Sequence, residues 1–402
     1  MLREDNNMQK EEVKKLYEDY FYDTFKRFDF VAEKGDGSYI TDESGKKYLD
    51  FMAGIAVNSA GHCNEKVVEA ICEQAHKIMH ASNYFYTEPQ ARAAELILKS
   101  IGFDKIQYQN SGAEANEAMI KLARKYGVEK YGPNRYKIVT ALDSFHGRTL
   151  ATLAATGQPG SAIQKGYEPF IPGFTYAKFN DLKSFEEACD EDTIAIMVEP
   201  VQGEGGVYPA TEEFLKGLRK LCDDKGMLLL FDEVQTGWGR TGSLMAFMGY
   251  GVKPDCVSMA KAMGGGMPIG AMCTTKELIE TFGPGAHGTT FGGNPVACAA
   301  SYAQIKEIID NKLPENAAKV GAYFMDKLKA LPYVKEVRGR GLMIGVEFEK
   351  DIATDVKYNS ADEGLLITAV RPSVIRLVPP LNITEADCDE AFGILDKVIK
   401  AL

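Results

Sequence analysis

The chain holds 402 residues, 45% of them hydrophobic, enough for two to three domains at roughly 150 residues each and far from the polar, highly charged composition that keeps chains unfolded. With 57 acidic against 46 basic side chains the net charge is -11, which repels phosphate backbones and anionic bilayers, so neither nucleic acid nor a membrane surface is an expected partner. The longest apolar runs, such as residues 227–231, fall far short of the roughly 20 residues that cross a bilayer.

The opening MLREDNNMQKEEVKK places acidic side chains where a presequence requires basic ones and has no apolar stretch, so a cytoplasmic protein is expected. GDGSYITDESGKKYLDF follows, a hairpin pattern with polar turn residues between Tyr39-Ile40 and Tyr48-Leu49. Over residues 65–257 helical periodicity alternates with short apolar runs. Val67, Val68, Ile71, Ala75, Ile78 and Met79 recur at steps of three and four, as do Ala115, Ala118, Met119, Leu122 and Ala123, and both sets predict amphipathic helices. Residues 137–140, 194–198, 227–231 and 256–259 are short, apolar and closed by charge or glycine, the pattern of strands. This rhythm predicts an α/β domain on a mostly parallel sheet, with its chemistry at the C-terminal ends of the strands. Beyond about Ser301, two helical stretches separated by the strand-like residues 342–348 and 374–378 predict a smaller α+β unit. The expected division is 1–65 as the N-terminal segment of the small domain, 66–300 as the large domain and 301–402 as the C-terminal small domain. The eight cysteines are scattered without a C-x-x-C pair and sit mostly in apolar stretches, as buried reduced thiols do; no metal site is expected from them.

Three features carry chemistry. In SGAEANEAMIKLARK, small residues stand directly before a helix, whose exposed N–H groups and positive dipole end make a cup for phosphate at Ser111, Gly112 and Ala113. Alone, such a terminus is an ordinary capped helix. In MLLLFDEVQTG an apolar strand delivers Asp232 and Glu233; a carboxylate there can ligate a metal, act as a base, hold a protonated ring nitrogen or merely cap a helix. Lys261 follows the strand CVSMA and precedes Gly264, Gly265 and Gly266, where desolvation lowers an amine's pKa and makes it a Schiff-base candidate, although a surface lysine reads the same way. Cup, carboxylate and amine together are what pyridoxal 5'-phosphate requires.

From about Tyr20 to the C-terminus, through SGAEANEA, SFHGRTLATLAATGQ, VEPVQGEGG, FDEVQTGWGRTG, SMAKAMGGGMPIGA, HGTTFGGNP and IRLVPPL, the sequence resembles the class III (ω-amino) aminotransferases, pyridoxal-phosphate enzymes of fold type I, and most of all their acetylornithine branch. The resemblance implies an α/β large domain with a mostly parallel sheet and a smaller α+β domain built from both chain ends. It implies Lys261 as the catalytic, cofactor-bearing lysine, Asp232 as the partner of the pyridine nitrogen and Gln235 as the donor near the phenolic oxygen. Ser111, Gly112 and Ala113 resemble the phosphate loop, and Phe145 the ring that stacks on the cofactor. Thr289 and Thr290 resemble the pair that reaches the phosphate of a neighbouring subunit, which implies a homodimer with shared active sites. Glutamate brings two carboxylates, which arginine forks bind well; Arg376 resembles the residue that takes the α-carboxylate and Arg148 the one for the distal carboxylate. Glu204 resembles the switch carboxylate that pairs with Arg376 when the donor is a terminal amine.

The reaction so implied moves the δ-amino group of N2-acetyl-L-ornithine to 2-oxoglutarate, giving N-acetyl-L-glutamate 5-semialdehyde and glutamate, in arginine biosynthesis. 4-Aminobutyrate or another ω-amino acid is the alternative donor. Gly54-Ile55 stands where ornithine δ-aminotransferases carry a tyrosine, which disfavours free ornithine. Two residues depart from the family pattern. Trp238 either packs under a loop or touches substrate, and Arg371 is either an extra carboxylate handle or a surface salt bridge.

Overall fold

The computed structural model describes residues 8–402, and the first seven residues of the opening segment read for a presequence lie outside them. Its centre is a seven-stranded sheet in the order Lys105–Gln109, Gly270–Thr274, Cys256–Met259, Leu228–Asp232, Thr193–Val198, Lys137–Ala141 and Phe174–Ala177. Every pairing among the last five is parallel, and Gly270–Thr274 runs antiparallel to both its neighbours. The four predicted strands are all present, with Met227 just outside its strand and Asp232 inside. Three strands escaped the pattern because KIQYQ, FTYA and GAMCT are too polar or too small to read as apolar runs. TIAIMV is buried at every position, as expected of a strand covered on both faces.

Helix Gly112–Tyr131 packs along this sheet, and its predicted stripe of Ala115, Ala118, Met119, Leu122 and Ala123 is buried. Helix Glu65–Lys77 is capped by Asn64 and stops one residue before Ile78, whose backbone is extended. The predicted stripe therefore overran the helix: Ile78 and Met79 keep the three-and-four spacing but lie beyond it, exposed, because the spacing of side chains does not register where the backbone ladder ends.

The predicted hairpin forms as Tyr39–Asp42 against Lys47–Asp50, joined by Ala32–Asp36 on one side and, in parallel, by Leu365–Leu366 on the other. Both chain ends thus share one sheet. A second four-stranded antiparallel sheet runs Val334–Arg340, Met343–Phe348, Val374–Leu377, Thr368–Arg371. The C-terminal part holds four helices, Pro295–Asp310, Leu313–Leu328, Ala353–Asp362 and Glu385–Lys400, where two stretches were expected. Lys312, with φ +51°, breaks one stretch into two helices, and ATDVKYNSAD carries too few apolar residues to announce the third. Six cysteines are buried and none is bonded to another, whereas Cys63 and Cys72 are exposed, against the expectation of burial. Among the described residues no helix is long and apolar enough to cross a membrane.

Candidate active site

Parallel pairing sets Asp232 beside Ser258, so Asp232 and Lys261 leave the sheet at the same C-terminal edge. The strand ending at Val198 delivers Glu199 there, and the one ending at Ala141 delivers Phe145 and His146. Between them lies a cavity of about 430 Å³, lined among others by Ser111, Gly112, Ala113, Phe145, Arg148, Asp232, Gln235 and Lys261. The volume falls in the range of small-ligand and cofactor sites.

Asp232 is almost wholly buried and held from three sides. Oδ2 accepts from Asn116 Nδ2 at 2.7 Å and from the His146 ring at 2.8 Å, and Oδ1 accepts from the Val234 amide at 3.0 Å. Ser258 Oγ donates to Asn116 Oδ1 at 2.5 Å, which turns the NH2 end of that amide toward Asp232 and toward the His146 carbonyl, 2.8 Å away. Burial works against a charged His146, but the Asp232 carboxylate outweighs it and its pKa is raised. Glu199, which accepts from the Phe145 amide at 3.0 Å, is pushed up to about 7 by burial. None of Asn116, His146, Glu199 and Ser258 was singled out from sequence. All four lie inside motifs that were quoted, but their meeting at Asp232 comes only from packing.

Lys261 begins a short 3-10 turn, and among the described residues its amine has no hydrogen-bond or ion-pair partner. Burial pushes it down to about 8, with Glu204 opposing. At the opposite wall Ser111 caps its helix, its Oγ accepting from the Glu114 amide at 3.1 Å, and the amides of Gly112 and Ala113 have no acceptor within the helix. The loop is close-packed: a Cβ on Gly112 would lie 2.5 Å from Val234 Cγ1, and one on Gly270 2.3 Å from the Ser111 carbonyl. A free amine, a carboxylate with an open Oδ1 lone pair, the Phe145 ring and unpaired helix amides could hold a phosphorylated aromatic aldehyde, and pyridoxal 5'-phosphate fits that donor set. Glu233 faces elsewhere, accepting from the amides of Ala246 and Phe247 at 2.7 and 2.8 Å, and burial pushes it up to about 7. The two adjacent carboxylates serve different structures.

Arg376 is buried on strand Val374–Leu377, and its Nη1 donates to Glu204 Oε1 at 2.5 Å and to Gln235 Oε1 at 3.1 Å. Burial works to raise Glu204, but Arg376 and then Lys261 hold it down at about 2. Arg148 is exposed at the cavity mouth, its guanidinium 5.6 Å from the Phe145 ring centre. Arg371 donates to Asp143 Oδ1 at 2.5 Å, a salt bridge with both partners open to solvent. Trp238 is fully buried in the core. Gly54 and Ile55 belong to a left-handed turn with φ between +46° and +65° from Ala53 to Ala56, which brings Val57 to the cavity wall.

Thr289 and Thr290 do not line this cavity. They sit in a separate cleft with Asn83, Tyr84, Tyr86 and His287, and Asn110, at the wall of the first cavity, donates through Nδ2 to Thr289 Oγ1 at 3.2 Å. Beside them Tyr84, Phe85, Tyr86 and Phe291 are exposed.

The model of the family described as aminotransferase class-III matches residues 22–399. A curated relative named acetylornithine aminotransferase, from Caldanaerobacter subterraneus, is 47% identical over 387 residues, covering 95% of this chain and 98% of its own. One of the same name from Methanocaldococcus jannaschii is 46% identical, covering 95% and 96%. Among solved structures, the ornithine aminotransferase of Toxoplasma gondii has a TM-score of 0.93 at 33% identity, covering 98% of this chain and 94% of its own, in a crystal described with partial occupancy of PLP at the active site. The acetylornithine aminotransferase of Elizabethkingia anophelis has a TM-score of 0.87 at 34% identity, covering 98% and 100%. A family match over nearly the whole chain, on a sheet whose C-terminal edge gathers an unpaired lysine and a buried aspartate, leaves one assignment: the protein belongs to the class-III aminotransferases, enzymes that use pyridoxal phosphate.

Proposed function

We propose that this enzyme transfers the δ-amino group of N2-acetyl-L-ornithine to 2-oxoglutarate, giving N-acetyl-L-glutamate 5-semialdehyde and glutamate. The observation that carries the dual-substrate reading is the ion pair at 2.5 Å between buried Arg376 and partly exposed Glu204. A terminal-amine donor presents methylenes, not a carboxylate, at this point, and a lone buried cation there would cost several kcal/mol. Glu204 covers that charge and withdraws when the α-carboxylate of glutamate arrives. Arg148, free of any carboxylate among the described residues, takes the distal carboxylate at the mouth. The relatives named acetylornithine aminotransferase, alike over nearly their full length, support the choice of donor.

Pyridoxal phosphate, when bound, supplies an electron sink for the carbon that carries the amine. Lys261 would hold the cofactor through Nζ and, when released, would serve as the proton carrier there; burial lowers its amine from 10.5 to about 8, which brings it closer to neutral pH than an exposed lysine. Asp232 would hold a proton on the ring nitrogen, its carboxylate oriented by Asn116, His146 and the Val234 amide. Phe145 would pack on the ring, Gln235 would donate near the phenolic oxygen, and the Ser111, Gly112 and Ala113 loop would bind the phosphate. The same reading makes the enzyme a cytoplasmic homodimer in which Thr289 and Thr290 complete the partner's phosphate site, and divides the chain at residues 65 and 300.

The test is a panel of donors with 2-oxoglutarate as acceptor. Acetylornithine should exceed 4-aminobutyrate and free ornithine in kcat/KM by at least about tenfold, the scale of a few pocket contacts. A preference for 4-aminobutyrate would move the assignment to that branch.

A further inference from the structure

Glu204 sits in a run of glycines, GEGG, a composition that predicts a freely moving loop. The packing denies that freedom. A Cβ on Gly203 would lie 2.5 Å from Gln235 Oε1, and one on Gly205 2.7 Å from the Asp143 carbonyl. Two arginines of the C-terminal sheet hold the next two carbonyls: Arg371 Nε donates to Gly205 at 3.2 Å and Arg338 Nε to Gly206 at 2.9 Å. Arg371 reaches on to Asp143, on the loop that leads to Phe145. Arg338 is fixed by Glu336 and Glu347 at 2.7 and 2.5 Å and lies over the Tyr208 ring. Arg371 and Arg376 stand on two paired strands, so one hairpin grips Glu204 by its carboxylate and the following residue by its carbonyl.

We infer that Arg371 is a positioning residue for the choice between the two amino donors: it clasps the loop so that Glu204 leaves and rejoins Arg376 by side-chain rotation over a fixed backbone. The inference rests on the reading of Glu204 as the cover of Arg376. Releasing the clasp lets the loop rock, loosens Glu204 from Arg376 and leaves the guanidinium open to an α-carboxylate more often. The glutamate half-reaction then gains relative to the terminal-amine one. Arg371 lies outside the cavity lining and its side chain is 36% exposed, so its replacement leaves the core intact.

The experiment follows each half-reaction separately in the holoenzyme by cofactor absorbance, with glutamate and with the best terminal amine of the donor panel, in wild type, Arg371→Ala, Glu204→Ala and the double variant. Arg371→Ala should shift the ratio of the two kcat/KM values toward glutamate by about 3- to 10-fold, and should add nothing once Glu204 is gone, as coupled residues behave in a double-mutant cycle. A ratio unchanged by Arg371→Ala, or shifted equally with and without Glu204, overturns the clasp. A Glu204→Ala enzyme with the wild-type ratio overturns the role given to Glu204 itself, and the clasp with it.

Discussion

Lys261 adopts φ +43°, a conformation costing an L-residue of this kind roughly 1–2 kcal/mol, at the turn that carries the chain from strand Cys256–Met259 into its short helix. The turn aims the amine along the cavity instead of outward, and burial then lowers its pKa from 10.5 to about 8. In the cofactor-free protein this has a sign. Below pH 8 both folded and unfolded chains carry the proton, and folding bears the full cost of a desolvated ammonium. Above 10.5 both are neutral and the cost is gone, so stability is regained as pH rises between those limits. Replacing Lys261 by Met, which keeps the apolar stem, should therefore raise the Tm of the cofactor-free protein most at pH 7 and progressively less toward pH 10. A difference in Tm independent of pH would contradict the buried charge. In the presence of cofactor the same variant should lose at least about 10³-fold in kcat, as nucleophile and general base are removed together.

Helix Gly112–Tyr131 meets different demands at its two ends. Its N-terminus must stay open to an anion, so the Ser111 hydroxyl satisfies the Glu114 amide and leaves those of Gly112 and Ala113 for a ligand. Near the C-terminal end Gly127 is a packing residue, since a Cβ there would lie 2.0 Å from the Arg135 carbonyl. Ser111→Ala should cost about 1 kcal/mol of stability and also weaken cofactor retention, measured as the fraction of pyridoxal phosphate surviving dialysis. Gly127→Ala should cost about 1–3 kcal/mol through overpacking and leave retention by the folded protein unchanged. Retention falling equally in both variants would contradict this division of labour. The apolar spacing made this helix readable at once, whereas KIQYQ and GAMCT were not, because those strands take their burial from neighbours and not from their own hydrophobicity.

At the scale of the molecule, Arg240 ties the parts together. Fully buried, it donates to the carbonyls of Leu342 and Pro379 at 3.0 and 2.6 Å and to Ser59 Oγ at 3.3 Å, linking the loop after Asp232 to the C-terminal sheet and to the N-terminal segment. Burial, with no carboxylate among these partners, pulls it down to about 9. The sheet that carries Arg376 is thereby held against the sheet that carries Lys261. On the outer surface Tyr84, Phe85 and Tyr86 are more than half exposed beside Thr289 and Thr290, which is unusual for so much aromatic area unless another protein covers it. On the proposed homodimer, wild type should sediment as a dimer, and Phe85→Asp should sediment as a monomer with lower cofactor retention and an unchanged fold by circular dichroism. A variant that stays dimeric, or a wild type that sediments as a monomer, would contradict shared active sites.

The order of apolar strand, acidic or amine-bearing strand end and small-residue turn is local, so Asp232, Lys261 and Ser111 could be placed at strand and helix ends from sequence alone. Spacing alone did not separate the two adjacent acids, and only the resemblance pointed to Asp232; neighbouring residues at a strand end turn opposite ways, and packing shows that Asp232 meets Asn116 and His146 while Glu233 meets Ala246 and Phe247. The sequence determined the family and the α/β rhythm, since these depend on composition and spacing along the chain. The resemblance had pointed to the Glu204–Arg376 pair, and the tertiary structure gave its 2.5 Å contact across 172 positions and decided that Arg371 holds the loop beside it and that Trp238 is core, because contacts between distant segments follow from the three-dimensional packing and have no counterpart in spacing.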